Sequence, residues 1–236
     1  LSDKVCTDPA FMAEGGAKNV ARRDGMGTTL LSAVEVIGRI PDAYFQAIGS
    51  GTGAIAVWEN NLRLIEDGRW GSHKMRLYPS QNDPFTIMYD TWKLHSRQLV
   101  DMSPDDARKA AAEIDAKVLS NRKPPYSLAG GLFDAMEDAG GDMFKATNEE
   151  LRFWKKRFAE LEGIDIHDAP AVAVASLAAA VKEGAVKKDE TIMLNITGGG
   201  EELAKSQQEI SYAKPHLILD PALPTEEVIS SVKALF

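Results

Sequence analysis

The stretch that decides the fold is Ala43-Tyr-Phe-Gln-Ala-Ile-Gly-Ser-Gly-Thr-Gly-Ala-Ile-Ala-Val-Trp-Glu59. Ala43 to Ile48 is a short apolar and aromatic run of the kind that forms a buried strand. Gly49-Ser50-Gly51-Thr52-Gly53 is a tight loop, and helical spacing through Leu62, Ile65 and Glu66 follows it as far as Gly68. Strand, glycine loop and helix together offer unpaired backbone N–H groups and the positive end of a helix dipole to an anion. Glycines at 49, 51 and 53 remove the Cβ atoms that would hold an anion off the backbone, and Ser50 and Thr52 add hydroxyl donors. A Walker loop is excluded because no Gly-Lys-Ser/Thr follows, and Ala54 stands where a dinucleotide fingerprint needs its third glycine. The loop is therefore expected to hold a single phosphate monoester. The alternative is a tight structural turn, but a turn needs one or two glycines rather than three alternating with hydroxyl residues.

Outward from this stretch, strand and helix patterns alternate. Upstream, Phe11 to Gly38 is mostly helical in composition, with interruptions at Gly15-Gly16 and Gly25-Met-Gly27. Within it, Lys18 and Arg22 lie one turn apart and share a face with Arg23 nearby, a solvated basic face by default. Downstream, Lys74 to Ser80 reads as a second strand, followed by a polar loop Ser80-Gln81-Asn82-Asp83-Pro84 and a helix from Phe85 to Leu99. Ser103-Pro-Asp-Asp caps a helix to about Leu119, Ser127 to Ala139 is a helix closed by Gly140-Gly141, and Asp142 to Thr147 is a short strand. Asn148 caps a helix to Leu161, and Ala169 to Val181 is a buried helix too short to cross a membrane. Thr191 to Thr197 is a strand running into Gly198-Gly-Gly200. A short helix, a strand at His216 to Leu219 and a helix from Thr225 to Phe236 complete the chain. This alternation predicts a three-layer α/β/α domain around a mainly parallel sheet. Ligands in such sheets bind beyond the C-terminal strand edges, where the loops Gly49–Gly53, Gln81-Asn82 and Thr197–Gly200 all emerge. Helix capping is the plainer reading of Thr197–Gly200 and of Gln81-Asn82.

Composition sets outer limits. The 236 residues suffice for a sizeable core, and 44% apolar with 26% charged residues is ordinary for a globular protein. A net charge of −8 without a basic run argues against nucleic acid as a partner. Cys6 is alone and the four histidines lack ligand spacing, so neither a disulfide framework nor a metal site is expected. No apolar run approaches spanning length, so a cytoplasmic location is expected. The chain opens at Leu1 without methionine or signal peptide and reads as part of a longer protein.

Together, Glu14-Gly-Gly-Ala-Lys-Asn-Val-Ala-Arg-Arg-Asp-Gly-Met-Gly27, Tyr44-Phe-Gln-Ala-Ile-Gly-Ser-Gly-Thr-Gly-Ala-Ile-Ala56, Asp67-Gly-Arg-Trp-Gly71, Gln81-Asn-Asp-Pro-Phe85 and Leu194-Asn-Ile-Thr-Gly-Gly-Gly200 resemble the pyridoxal-phosphate enzymes of the tryptophan-synthase β fold type. Within these the resemblance is to the threonine synthase branch, and most of all to its archaeal relatives, the cysteate synthases. It covers essentially the whole chain in order. Threonine synthases tend to carry a Gly-Asn-x-Gly-Asn loop where this chain has Gly-Ser-Gly-Thr-Gly, which favours the second group.

The resemblance implies that Gly49, Ser50, Gly51, Thr52 and Gly53 hold the 5′-phosphate of pyridoxal 5′-phosphate, and that Thr197 meets the pyridine nitrogen. It implies replacement of the phosphate of O-phospho-L-serine by sulfite, giving L-cysteate for coenzyme M synthesis in methanogens. Lys18, Arg22, Arg23, Gln81 and Asn82 are the candidates for contact with a phosphorylated substrate or sulfite, and a homodimer is expected. Threonine synthesis from O-phosphohomoserine is the alternative activity. The family's Schiff-base lysine lies in an N-terminal Ser-Phe-Lys-Asp-Arg type motif that this chain does not contain, and much of the small substrate domain is also missing. The chain is thus expected to be the C-terminal part, mostly the cofactor's large domain, and inactive alone. A non-catalytic domain for a phosphorylated small molecule and a nucleotide-binding regulatory domain are the readings from other classes.

Overall fold

A computed structural model describes residues 1–236. In chain order the elements are α1 (Ser2–Val5), a 3-10 turn (Gly16–Lys18), α2 (Val20–Ile37), β1 (Ala43–Ala47), α3 (Thr52–Asp67), β2 (Arg76–Asn82), α4 (Ile87–Lys93) and α5 (Pro104–Glu113). A second 3-10 turn (Lys117–Leu119), α6 (Leu132–Ala139), β3 (Phe144–Ala146), α7 (Asn148–Glu162), α8 (Asp168–Glu183), β4 (Ile192–Leu194), α9 (Glu201–Gln207) and α10 (Thr225–Lys233) complete it.

All four strands are parallel, in the order β3-β2-β1-β4. Every residue of β1 is buried, as a parallel strand covered on both faces requires. Its side chains alternate between two cores. Tyr44 and Ile48 join Leu30, Ile55 and Leu77 beneath α2, α3 and α6. Ala43, Phe45 and Ala47 face the alanine-rich α8, with the Phe45 ring stacked on Tyr78 at 4.7 Å. This is the three-layer α/β/α sheet domain that the alternation predicts. The parallel strands end on one side, which is where the glycine loop sits.

The structure revises several expected elements. Gly25 and Gly27 do not interrupt α2, and Gly27 lies where α2 packs on α3: a Cβ there would stand 1.7 Å from Asn60 Nδ2. The expected helix Phe85 to Leu99 shrinks to α4: Asp83-Pro84 lies in a turn ahead of the N-cap Thr86, and His95 takes a φ of 50° just past the helix end. Gln81 and Asn82 are not a loop but the buried end of β2. Thr147, not Asn148, caps α7 through a capping box with Glu150. The apolar run around His216 to Leu219 forms no strand; Ile218 is 83% exposed, so no sheet face covers it. No helix is long and apolar enough to cross a membrane.

Candidate phosphate site at the glycine loop

The chain turns sharply out of β1 because Gly51 adopts φ +81°, a left-handed conformation that suits glycine. Gly51 is also the N-cap of the 16-residue α3. The N–H groups of Gly49, Ser50, Gly51, Gly53 and Ala54 make no hydrogen bond within the protein, although Gly51, Gly53 and Ala54 are buried. Buried N–H groups are rarely left unpaired, so this cluster is ready to receive an oxyanion. Ser50 Oγ and Thr52 Oγ1 lie 2.9 Å apart at its mouth, and the Thr52 N–H donates to Ser50 Oγ. The glycines are sterically required. A Cβ on Gly49 would lie 2.8 Å from Val118 O, and one on Gly53 would lie 2.7 Å from the Gln46 amide. By donor count and shape, the residues present fit a phosphate monoester.

A cavity of about 490 Å³ opens beside the loop. Ser50 and Thr52 form one wall, and Gly15 to Lys18 with Arg22 form another. The third comes from Asn121, Lys123 and the two prolines after it. The structure thus brings Lys18 and Arg22 to the glycine loop. Arg22 pairs with Glu14 at 2.6 Å, and that carboxyl is held below its ordinary range first by the Gly16 N–H and then by Arg22. Arg23 does not line the cavity; it pairs with Glu59 at 2.9 Å.

Gln81 and Asn82 do not line it either. Gln81 Oε1 accepts from the N–H groups of Met88 and Tyr89, both at 2.9 Å, which caps α4. Asn82 accepts from Ala116 N–H at 3.0 Å and donates to Ala146 O at 3.0 Å and Asn148 Oδ1 at 3.1 Å. Thr197 is exposed beyond β4 in a separate depression with Phe158, Ile164 and Ile166. The glycines that follow it are set by packing, since a Cβ on Gly199 would lie 2.4 Å from Asp165 O.

A buried relay links the two loops. Asn195 Nδ2 donates to Tyr44 Oη at 2.8 Å, and Tyr44 Oη donates to Gln46 Oε1 at 2.9 Å, beside Gly53. Burial pushes the Tyr44 phenol well above its ordinary value, offset in part by Asn195, so the phenol remains a donor. Tyr44 and Gln46 are i,i+2 neighbours on one face of β1, but Asn195 joins them only when β4 pairs with β1, so no sequence pattern marks the three as partners. Asn121 and Lys123 lie outside any regular element, and a lysine before two prolines is too weak a sequence signal to single out.

The family model for pyridoxal-phosphate-dependent enzymes matches residues 4–198. The chain belongs to this family. It is 47% identical over 230 residues to a cysteate synthase of Methanosarcina acetivorans, covering 97% of this chain and 55% of that protein. It is 45% identical to a cysteate synthase of Methanocella paludicola, covering 99% of this chain and 55% of that protein. The chain therefore spans little more than half the length of these relatives. Among solved structures, the processed form of threonine deaminase isoform 2 from Solanum lycopersicum superposes with a TM-score of 0.56 at 16% identity, over 78% of this chain and 47% of that one. A fungal L-serine ammonia-lyase from Rhizomucor miehei superposes with a TM-score of 0.54 at 11% identity, over 78% of this chain and 54% of that one. At such identities these likenesses speak to the fold alone. The family depends on pyridoxal phosphate, and the loop's fit to a phosphate monoester agrees with that cofactor.

Proposed function

We propose that the chain is the cofactor-phosphate-holding part of a cysteate synthase, an enzyme that replaces the phosphate of O-phospho-L-serine with sulfite. The observation that carries this reading is the cluster of five unpaired N–H groups in a triple-glycine loop at the N-terminus of α3. The relatives' names support the choice of activity. The N–H groups of Gly49, Ser50, Gly51, Gly53 and Ala54 and the hydroxyls of Ser50 and Thr52 bind the phosphate and fix its orientation. Thr197, on the loop after β4, would offer its hydroxyl to the pyridine nitrogen; a hydroxyl there, rather than a carboxylate, would leave that nitrogen largely unprotonated and would favour replacement over transamination. Pyridoxal phosphate supplies an electron sink for the α-carbon when bound. In the net reaction the Cβ–O bond breaks with its electron pair leaving on phosphate, and the sulfur lone pair of sulfite forms the new C–S bond. Lys18 and Arg22 attract the phosphorylated substrate or sulfite. The Schiff-base lysine lies outside this sequence, so the chain alone is catalytically silent, and the complete enzyme is a dimer.

Calorimetric titration tests the site. Pyridoxal phosphate binds, pyridoxal without the phosphate does not, and Gly51→Ala weakens binding by about tenfold or more, because φ +81° disfavours a Cβ. Equal binding of both compounds overturns the reading. The activity is tested on the longer polypeptide: cysteate from phosphoserine and sulfite is expected, and threonine from O-phosphohomoserine overturns the assignment. Borohydride-fixed cofactor on this chain would overturn its silence.

A further inference from the structure

We infer that His167, at the start of α8, is a positioning residue: its imidazole braces the glycine run that follows Thr197 and so fixes the Thr197 hydroxyl. The inference rests on the role proposed for Thr197 above and adds the group that holds it in place. Thr197 is followed by Gly198, Gly199 and Gly200, and consecutive glycines carry more backbone freedom than any other run of that length. A hydroxyl aimed at one ring atom needs that freedom removed. β4 ends at Leu194 and α9 begins at Glu201, so neither element supplies the constraint.

The constraint comes from Asp165, Ile166 and His167, just ahead of α8. Asp165 O accepts the Gly200 N–H at 2.7 Å, and its carboxylate accepts the N–H groups of Glu202 at 3.2 Å and Leu203 at 3.3 Å. Ile166 forms an antiparallel bridge with Gly199. Gly198, the residue next to Thr197, is left to His167, whose N–H donates to Gly198 O at 3.1 Å. The His167 ring also lies against Gly198, since a Cβ there would stand 2.8 Å from Nδ1. The ring thus supplies from outside the restriction that a glycine lacks. Helix capping does not explain a histidine here. His167 is the N-cap of α8, a position that favours Ser, Thr, Asp or Asn, yet its side chain caps nothing. The ring's Nε2 stands 3.7 Å from Glu201 Oε2, and that carboxylate is itself held by Lys205 Nζ at 3.0 Å and Tyr212 Oη at 2.9 Å. The imidazole is therefore seated between a fixed carboxylate on α9 and the Gly198 backbone.

Calorimetric titration of the whole chain with pyridoxal phosphate, and with the analogue that carries C–H in place of the ring nitrogen, tests this. The parent should prefer the cofactor by about fivefold or more, and Thr197→Ala should abolish that preference. His167→Ser keeps a good N-cap and removes the ring. It should cut the preference to less than about twofold while affinity for the analogue stays within about threefold, and adding Thr197→Ala to it should cost nothing further. His167→Phe, which keeps a flat ring, should retain the preference. Hydrogen exchange of the Gly200 N–H, measured without ligand, should speed up by about fivefold or more in His167→Ser. Unchanged exchange, an unchanged preference, equal loss for both ligands, or a lost preference in His167→Phe overturns the brace. A parent chain that shows no preference counts instead against the Thr197 contact, and the exchange rate then decides the brace alone.

Discussion

Gly53 lies directly over the side-chain amide of Gln46, so close that a Cβ would stand 2.7 Å from both its nitrogen and its oxygen. This contact joins the first turn of α3 to β1 and holds the phosphate loop against the buried relay. Alanine normally stabilises a helix position by about 1 kcal/mol over glycine. Here the clash wins, because Gln46 is tied to Tyr44 and buried between strand and helix. Gly53→Ala should destabilise the chain by about 1–3 kcal/mol in urea titrations and weaken phosphate binding at the loop. A gain in stability would show that Gln46 swings aside freely.

Tyr44 carries the middle of the relay at 1% exposure. Tyr44→Phe keeps the ring's packing but strands the Gln46 carbonyl and the Asn195 amide, so a loss of about 1–3 kcal/mol is expected. Its phenol also has a pH signature. The folded-state value is raised by burial, so the unfolded chain gives up its proton first, near pH 10, and stability falls as pH rises above that point. Tyr126, pushed up to about 12 chiefly by burial, adds to the same alkaline loss. Thermal melts between about pH 9 and about pH 11.5 should show this decline, and Tyr44→Phe should flatten it. An unchanged slope in the variant would remove Tyr44 as a cause.

Gly27 and Asn60 provide a test of the layer above the site. A Cβ at Gly27 would overlap Asn60 Nδ2, whose amide donates to Ala56 O at 2.9 Å in α3. Gly27→Ala should therefore cost about 2–3 kcal/mol despite its better helix propensity. Asn60→Ala clears the space, so the double variant should be more stable than the sum of the single changes by about 1 kcal/mol or more. Simple additivity in denaturant titrations would mean that α2 and α3 separate rather than clash.

The glycine loop was legible because its chemistry is local: strand, turn and helix start lie in one run of residues, and positive φ at Gly51 follows from that run alone. The α/β/α architecture was legible for a similar reason, since alternation of short apolar runs with capped helices needs no long-range knowledge. Gly27 was misleading because close packing of α2 on Asn60 requires a glycine there despite its poor helix propensity, while Gly25 is carried within the same helix with open space around it. The His216–Leu219 run carried strand composition, but a strand also needs a neighbour to pair with, and composition does not report one. Lys123, Asn121 and the Tyr44 relay were hidden because each becomes a partner only through tertiary placement. The same holds for Arg23, whose approach to Glu59 depends on α2 crossing α3.

Asn82 separates a structural role from a substrate role. Its amide serves Ala116 N–H, Ala146 O and Asn148 Oδ1, and so ties β2 to β3 and to the segments entering the second 3-10 turn and α7. The Val118 carbonyl of that turn is the group packed against Gly49, so Asn82 supports the loop only at a distance. Asn82→Ala leaves the buried Ala116 N–H without an acceptor, at a cost of about 1–3 kcal/mol. Phosphate affinity at the loop, measured well below the melting temperature, should stay within about threefold of the parent. A variant with unchanged stability but lost anion binding would place Asn82 at the ligand instead, and would require β2 to end one residue earlier than it does.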